Sequence, residues 1–409
     1  MLTKLLIKNA RLDAGYETDS RGVVHTLTEK KDILIEEGKI TQINDSIEAN
    51  DVEVLNADGK LLLPSLREMH IHIDKTYFGG PWKAPKLPTK SSVAFRIEEE
   101  LELLPKQLPY AEDRARYFVE HLIKNGHTHI RTHCNVDPGI QLKHMENTLK
   151  VLEDYKNDIS YEIVAFPQHG LLRSGVEGLI REAMKMGATL VGGVDPATID
   201  RNIDRSLETT FDIAVEANAG IDIHLHDPDT LGIFQMEKIV KLIKETKLQN
   251  KVTISHAMSL GHIKADKVLL KDTAQMLAEV GIDITSTIPM NSGTIPVLEL
   301  LEYGVPVSVG HDSLMDHWSP FGTGDTIEKL SIFADRFRLV DEKSLSNAWR
   351  LGSGGIRTLN ENGEQQWPKV GDEGNVLLVD ASCSAETVAR RKPITHTIYQ
   401  GRIISSLTN

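Results

Sequence analysis

The chain of 409 residues contains only two cysteines, Cys134 and Cys383. Two cysteines cannot form the disulfide framework that stabilises small secreted domains, which favours a reducing compartment. Residues 1–8 also lack the long apolar stretch of a secretory signal peptide. We therefore expect a globular protein of the cytoplasm.

Long apolar runs and an excess of positive charge are absent as well. No segment approaches the roughly 20 apolar residues that a transmembrane helix needs. Acidic residues outnumber Lys and Arg by 59 to 46, and the net charge is −13. Nucleic acids and anionic membrane surfaces select basic proteins, so we expect neither as a partner.

No Gly-x-Gly-x-x-Gly motif follows an early strand, which disfavours an open, doubly wound sheet that binds dinucleotides. The middle of the chain nevertheless alternates short apolar strands with helical patterns such as residues 111–124. Counting from the strand at residues 68–73 gives eight strand–helix units. This count over about 300 residues predicts an α/β fold with a (β/α)8 TIM-type barrel.

The two ends of the chain lack this alternation. Residues 32–35 and 40–43 are β-rich runs on either side of a hairpin turn at Gly38, and residues 375–379 are typical of a buried strand. Neither end has enough apolar sequence to fold alone. We expect residues 1–63 and 365–409 to form one small β-sandwich domain, with the barrel over residues 64–364.

Histidines and one aspartate lie at the ends of four predicted barrel strands. His70 and His72 are one residue apart, so their side chains point to the same side of a strand. His224, His256 and Asp312 follow at the ends of later strands, which a barrel brings together. Imidazole and carboxylate ligands suit Zn²⁺ or Fe²⁺. We expect one divalent metal ion on His70, His72, His224 and Asp312.

Two of these residues are also expected to assist catalysis. His256 would be an electrostatic stabiliser or proton relay, and Asp312 would accept a proton from the attacking water. Each residue alone has another explanation, because a strand-end histidine can be a core residue and an aspartate can cap a helix. A purely structural metal is a further alternative, although structural zinc sites are usually closed and rich in sulfur.

The motifs around these residues resemble those of the amidohydrolase superfamily, in particular its cytosine deaminase branch, over nearly the whole chain. The motifs are residues 69–76 (MHIHIDKT), 130–133 (IRTH), 164–168 (VAFPQ), 252–256 (VTISH) and 310–313 (GHDS). The resemblance implies one metal on the four ligands named above, with His256 beside the hydrolytic water. It also implies that Gln168 binds the carbonyl edge of a pyrimidine and that Trp318 lines the base pocket.

The sequence departs from the deaminase pattern beside the expected metal. Deaminases of this branch have a glutamate three residues after the fifth-strand histidine, where this chain has Asp227. The aspartate is shorter by one carbon–carbon bond, about 1.5 Å, so His226 is an alternative for the proton transfer. Ser313 replaces a second aspartate that is common in the deaminases. On the fourth strand, residues 190–195 (LVGGVD) offer no lysine to bridge two ions, which supports a single metal.

We therefore expect a mononuclear metal-dependent hydrolase that deaminates a small amino-substituted heterocycle, a cytosine-like pyrimidine or related ring. Ammonia would leave after attack by a metal-bound hydroxide. Asp227 would protonate the ring, while Gln168, Trp318 and Ser313 would contact it. The alternative is hydrolysis of a cyclic amide or an N-substituted amide on the same metal centre. A homo-oligomer is left open.

Overall fold

A computed structural model of the protein describes residues 4–89, 92–290 and 293–407. The N-terminal part consists of the strands β1 (Lys4–Thr18), β2 (Val24–Glu36), β3 (Lys39–Asn44), β4 (Glu53–Asn56) and β5 (Leu61–Pro64). Strands β2 and β3 pair antiparallel. The turn between them has positive φ at Glu37 and Gly38, which confirms the predicted hairpin.

Eight parallel strands follow, and each is hydrogen-bonded to the next along the chain. They are β6 (Leu66–Ile71), β7 (His127–Asn135), β8 (Ser160–Phe166), β9 (Leu190–Val194), β10 (Gly220–His224), β11 (Val252–Ser255), β12 (Asp283–Ser286) and β13 (Val307–Val309). The ring closes just after β13, where the backbone N–H groups of His311 and Asp312 donate to the carbonyl of His70 at 3.0 and 2.7 Å. The predicted (β/α)8 barrel is confirmed.

Helices surround this barrel and cover the terminal strands. They are α1 (Ser92–Lys124), α2 (Lys143–Asp154), α3 (Glu177–Met186), α4 (Ile203–Ala217), α5 (Asp229–Thr246), α6 (Met258–Ile263), α7 (Lys267–Glu279), α8 (Val297–Glu302), α9 (Thr326–Arg336), α10 (Glu342–Ala348) and α11 (Ser384–Arg390). Aspartate side chains cap three of them by accepting from N-terminal backbone N–H groups: Asp266 caps α7, Asp325 caps α9 and Asp341 caps α10. Across the described ranges, no helix is both long and apolar enough to cross a bilayer.

The C-terminal strands complete the sheet that the N-terminus begins. They are β14 (Val376–Val379), β15 (Ile394–Tyr399) and β16 (Arg402–Ser406). Strand β14 pairs antiparallel with β5, which gives the order β16-β15-β14-β5-β1-β2-β3 with β4 beside β1. The expected joining of both termini is confirmed. We propose domain boundaries at residues 63/64 and 364/365. The first lies at the last residue of β5, two residues before β6 begins at Leu66, and the second precedes β14.

Candidate active site

Five of the predicted residues meet at the carboxyl-terminal mouth of the barrel. His70 lies on β6 and His224 ends β10, while His72, His256 and Asp312 come just after β6, β11 and β13. The ligand atoms of His70, His224, His256 and Asp312 all lie within 4.8 Å of one another. His72 reaches the same group through Nε2, which is 3.2 Å from Oδ1 of Asp312.

This donor set fits a divalent metal ion. His224 is buried, and neither of its ring nitrogens has a hydrogen-bond partner among the described residues; the same holds for Nε2 of His256. Buried polar atoms without partners are rare, so these nitrogens are available as ligands. Imidazoles combined with one carboxylate are typical of Zn²⁺ and Fe²⁺ sites. The mutually close ligand atoms include His256 rather than His72, whereas the predicted ligand set contains His72, and that set of four stays a prediction.

Electrostatics favour the protonation states that metal ligands require. Burial lowers the pKa of His72, His224 and His256, which keeps their imidazoles neutral. Burial alone would raise the pKa of Asp312. The neighbouring His70 and His72 outweigh this effect and hold the pKa of Asp312 well below its usual range. The cluster therefore combines neutral nitrogens with an ionised carboxylate.

Two residues of the cluster have an unfavourable backbone conformation. His256 and Asp312 have φ values of 69° and 59°, in the left-handed region that non-glycine residues rarely adopt outside functional or strained sites. At Gly310, a Cβ atom would lie 2.6 Å from Cβ of His70. Glycine at this position therefore lets the end of β13 approach β6 closely enough to bring Asp312 beside the histidines.

Hydrogen bonds beneath the cluster fix the ring of His70. Its Nδ1 lies 2.8 Å from Oγ of Ser255, and that hydroxyl donates to Oδ1 of Asp222 at 2.6 Å. Because the serine hydrogen is used by Asp222, Nδ1–H of His70 must be the donor to Ser255. Nε2 is then the ring nitrogen of His70 that faces the cluster and is available as a metal ligand. Asp222 also accepts from Arg131 at 3.1 Å.

A cavity of about 800 Å³ opens above the cluster. Its size is within the range of sites for small organic ligands. Ser313 and Trp318 line it, as the prediction of substrate contacts requires. Gln168 is buried, and its Oε1 accepts from Nζ of Lys75 at 2.9 Å, which leaves the Gln168 amide N–H groups as donors. The roles of these three residues in substrate binding stay predictions.

His226 and Asp227 have different surroundings. Asp227 is buried, and its Oδ2 accepts from Nε2 of Gln235 at 2.9 Å. His226 lines the cavity and stacks on His256 with a centroid distance of 4.4 Å. Nδ1 of His226 lies 2.9 Å from Oδ2 of Asp195. Burial alone would lower the pKa of His226, but Asp195 outweighs burial and raises it.

A buried glutamate that the motifs did not indicate organises one side of the site. Glu100 on α1 accepts from His169 at 2.9 Å, His317 at 2.8 Å and the indole N–H of Trp318 at 2.9 Å. Nζ of Lys75 is 3.3 Å from the same carboxylate. Burial alone would raise the pKa of Glu100, but Lys75 and the two histidines hold it well below its usual range.

Sequence reasoning overlooked three further residues near the cluster. Asp195 directly follows β9 and is buried, and its Oδ1 also accepts from the backbone N–H of His226 at 2.6 Å. His133 is fully buried, and its ring centroid lies 4.0 Å from that of His70. Lys75 stands three residues after His72 in the motif of residues 69–76. His133 likewise ends the motif of residues 130–133, so these two residues had a signal in the sequence and Asp195 had none.

Comparisons with known proteins agree with this geometry. Residues 53–405 match the model of the Amidohydrolase family. The chain is 39% identical over 401 residues to the uncharacterized protein YahJ of Escherichia coli K12, covering 97% of this chain and 87% of YahJ.

Two solved structures share the fold over nearly their full lengths. N-isopropylammelide isopropylaminohydrolase from Burkholderia multivorans is 30% identical, with a TM-score of 0.85 and coverage of 99% of this chain and 98% of that one. 5-Methylcytosine deaminase from Klebsiella pneumoniae is 24% identical, with a TM-score of 0.78 and the same coverage. The recognised resemblance is confirmed. The chain belongs to the amidohydrolase family of metal-dependent enzymes, and it is a hydrolase that acts on C–N bonds.

Proposed function

We propose that this enzyme removes an amino or alkylamino group from a small nitrogen heterocycle by hydrolysis. The observation that carries the proposal is the position of His226, which the Asp195 carboxylate holds in the cavity wall beside His256. This arrangement puts a proton-transfer group next to the cluster of predicted metal ligands. The relative from Burkholderia multivorans, whose name describes release of an isopropylamino group from a heterocycle, supports the same class of substrate.

In this proposal His70, His72, His224 and Asp312 hold one divalent metal, which activates water for attack on an electron-poor ring carbon. The residues of the chain do the rest. Trp318 and Ser313, which line the cavity, contact the ring. The amide of the buried Gln168 orients it, as the family resemblance implies. Asp312 accepts the proton of the attacking water, as the sequence predicts.

The bond from the ring carbon to the exocyclic nitrogen breaks while a carbon–oxygen bond forms, so the amine leaves only after it gains a proton. Nδ1 of His226 is hydrogen-bonded to Asp195, so Nε2 is the nitrogen that would give the proton to the leaving amine. A positioned imidazole of this kind typically contributes 10²–10⁴-fold to the rate. His256 stabilises the negative charge that develops on the attacked carbon's oxygen. We assign the proton transfer to His226 rather than to Asp227.

A second candidate is hydrolysis of a cyclic amide on the same centre. The carboxylate of Asp227 is occupied by Gln235 and buried, so it is poorly placed to protonate a ring nitrogen, as a cytosine-like substrate requires. In a cyclic amide the ring nitrogen is itself the leaving group, so the proton that it must gain when the C–N bond breaks can come from His226 rather than from Asp227.

The test is a substrate panel with protein loaded with Zn²⁺ or Fe²⁺. The panel comprises cytosine, 5-methylcytosine, ammelide, N-isopropylammelide and two cyclic amides, hydantoin and dihydrouracil. We expect release of ammonia or isopropylamine from at least one aminated ring, and no release by the His224→Ala variant. Ring opening of a cyclic amide without amine release from any aminated ring would replace the first function with the second.

A further inference from the structure

A lysine that the proposed reaction does not use lies in the wall of the active-site cavity. Lys329 is on α9 and lines the cavity together with His226, His256 and Asp312. Its Nζ donates to the backbone carbonyl of Thr287 at 2.8 Å, just beyond the end of β12. An ammonium group has three N–H donors, so this bond uses one of them.

The acidic groups in the cavity wall are occupied elsewhere. Among the described lining residues these are Asp312 and Glu328. Asp312 faces the histidine cluster. The carboxylate of Glu328 accepts from the Thr323 hydroxyl at 2.5 Å and from the Arg391 guanidinium at 3.1 Å. In the described part of the chain, neither acid forms an ion pair with Lys329.

Lys329 is partly buried, and its ammonium group lies in the cavity wall without a carboxylate counter-ion among the described residues. Burial lowers the pKa of Lys329, and the nearby negative charges of Glu68, Asp312 and Glu328 do not fully offset this effect. A buried charge that is not paired is costly, and a negatively charged oxygen is the partner that recovers most of the lost free energy. Because Lys329 lines the cavity, a ligand bound there can supply such an oxygen to the two remaining donors.

We propose that Lys329 binds a negatively charged oxygen of the substrate, so that the preferred substrate is an anionic heterocycle. This oxygen is part either of a carboxylate substituent or of an ionised hydroxyl substituent on the ring. The inference rests on the proposed function, because it takes the cavity above the histidine cluster to be the substrate site. It adds a specificity that none of the predicted substrate contacts supplies, since Gln168, Trp318 and Ser313 are uncharged.

Binding of matched probes to metal-loaded protein tests this inference. For a carboxylate, 5-carboxycytosine is compared with cytosine-5-carboxamide; for a ring oxygen, ionised barbiturate is compared with neutral uracil. Dissociation constants are measured by calorimetry for the wild type, Lys329→Met and Lys329→Gln. The glutamine retains a donor for Thr287 without the charge. Lys267→Met, on the exposed start of α7, is the matched control.

We expect at least one anionic probe to bind about tenfold more tightly than its neutral partner, as a charge-assisted hydrogen bond predicts. Both Lys329 variants should lose this preference, and Lys267→Met should keep it. The pair that shows the effect identifies the source of the charge. A wild type without any preference, or variants that keep it, would overturn the inference.

The two proposals fail in different ways. Amine release without any preference for anions would leave the proposed function intact and remove the role of Lys329. A preference that depends on Lys329, without amine release from any ring, would support the anion site and reject the proposed reaction. Circular dichroism of each variant shows whether it is folded. If Lys329→Met is not folded, the comparison rests on Lys329→Gln.

Discussion

His226 and Asp227 are adjacent in the chain but face different surroundings, and the difference decides which can move a proton. The imidazole lines the cavity, whereas the carboxylate is buried against Gln235. We expect His226→Asn to lower kcat by about 100-fold or more, the usual contribution of a general acid or base. Asp227→Asn should cost less than about tenfold. Both values come from steady-state amine release on the best substrate of the panel.

The two variants control for each other, because each introduces asparagine and the two positions are adjacent in the chain. A larger loss for Asp227→Asn than for His226→Asn would return the proton transfer to the aspartate. In that case Gln235 would have to release the carboxylate when substrate binds.

Single residues also show why the sequence predicted the cluster of histidines and Asp312 but not the residues that support it. The strand ends of a barrel meet at one face, so the positions of His70, His224 and Asp312 follow from topology once the strands are recognised. Asp195 carries no such signal. An aspartate after a strand usually begins a turn, and its contact with His226 depends on the neighbouring strand.

Helix α1 contributes Glu100 to the side of the site that contains Trp318. The helical pattern predicted only residues 111–124, whereas the helix begins at Ser92. Pro105 and Pro109 lie inside it and break the expected pattern. Glu100 is in the part of the helix that was missed, so its role could not be recognised. A glutamate in a helix is also more often on a solvated face than in a buried network.

The contribution of the Glu100 network to the free energy of unfolding can be measured against a control residue on the same helix. We expect Glu100→Gln to destabilise the protein by about 3–5 kcal/mol, because it leaves the buried Lys75 without its carboxylate partner. The control is Glu112→Gln, which removes the more exposed ion pairs with Arg116 and Lys150 and should cost at most about 1 kcal/mol. Urea unfolding monitored by circular dichroism gives both values. Equal costs would show that the Glu100 network does not stabilise the fold.

For the whole molecule, the remaining question is whether the metal holds the barrel together or only serves its chemistry. The histidine cluster joins β6, β10 and β11 with the segment after β13. The same strands are already hydrogen-bonded and surround a continuous apolar core. Burial of that core is the dominant stabilising term in a domain of this size. We therefore expect the barrel to fold before a metal binds.

Metal binding should then add stability by linkage, about 2.7 kcal/mol at a free metal concentration 100 times the dissociation constant. We expect the wild type to show a rising melting temperature as Zn²⁺ or Fe²⁺ is added. His70→Ala should remain folded by circular dichroism and lose most of this rise. His25→Ala, which changes an exposed histidine of the terminal sheet, should keep it. An unfolded His70→Ala variant, beside a folded His25→Ala control, would show instead that the metal is structural.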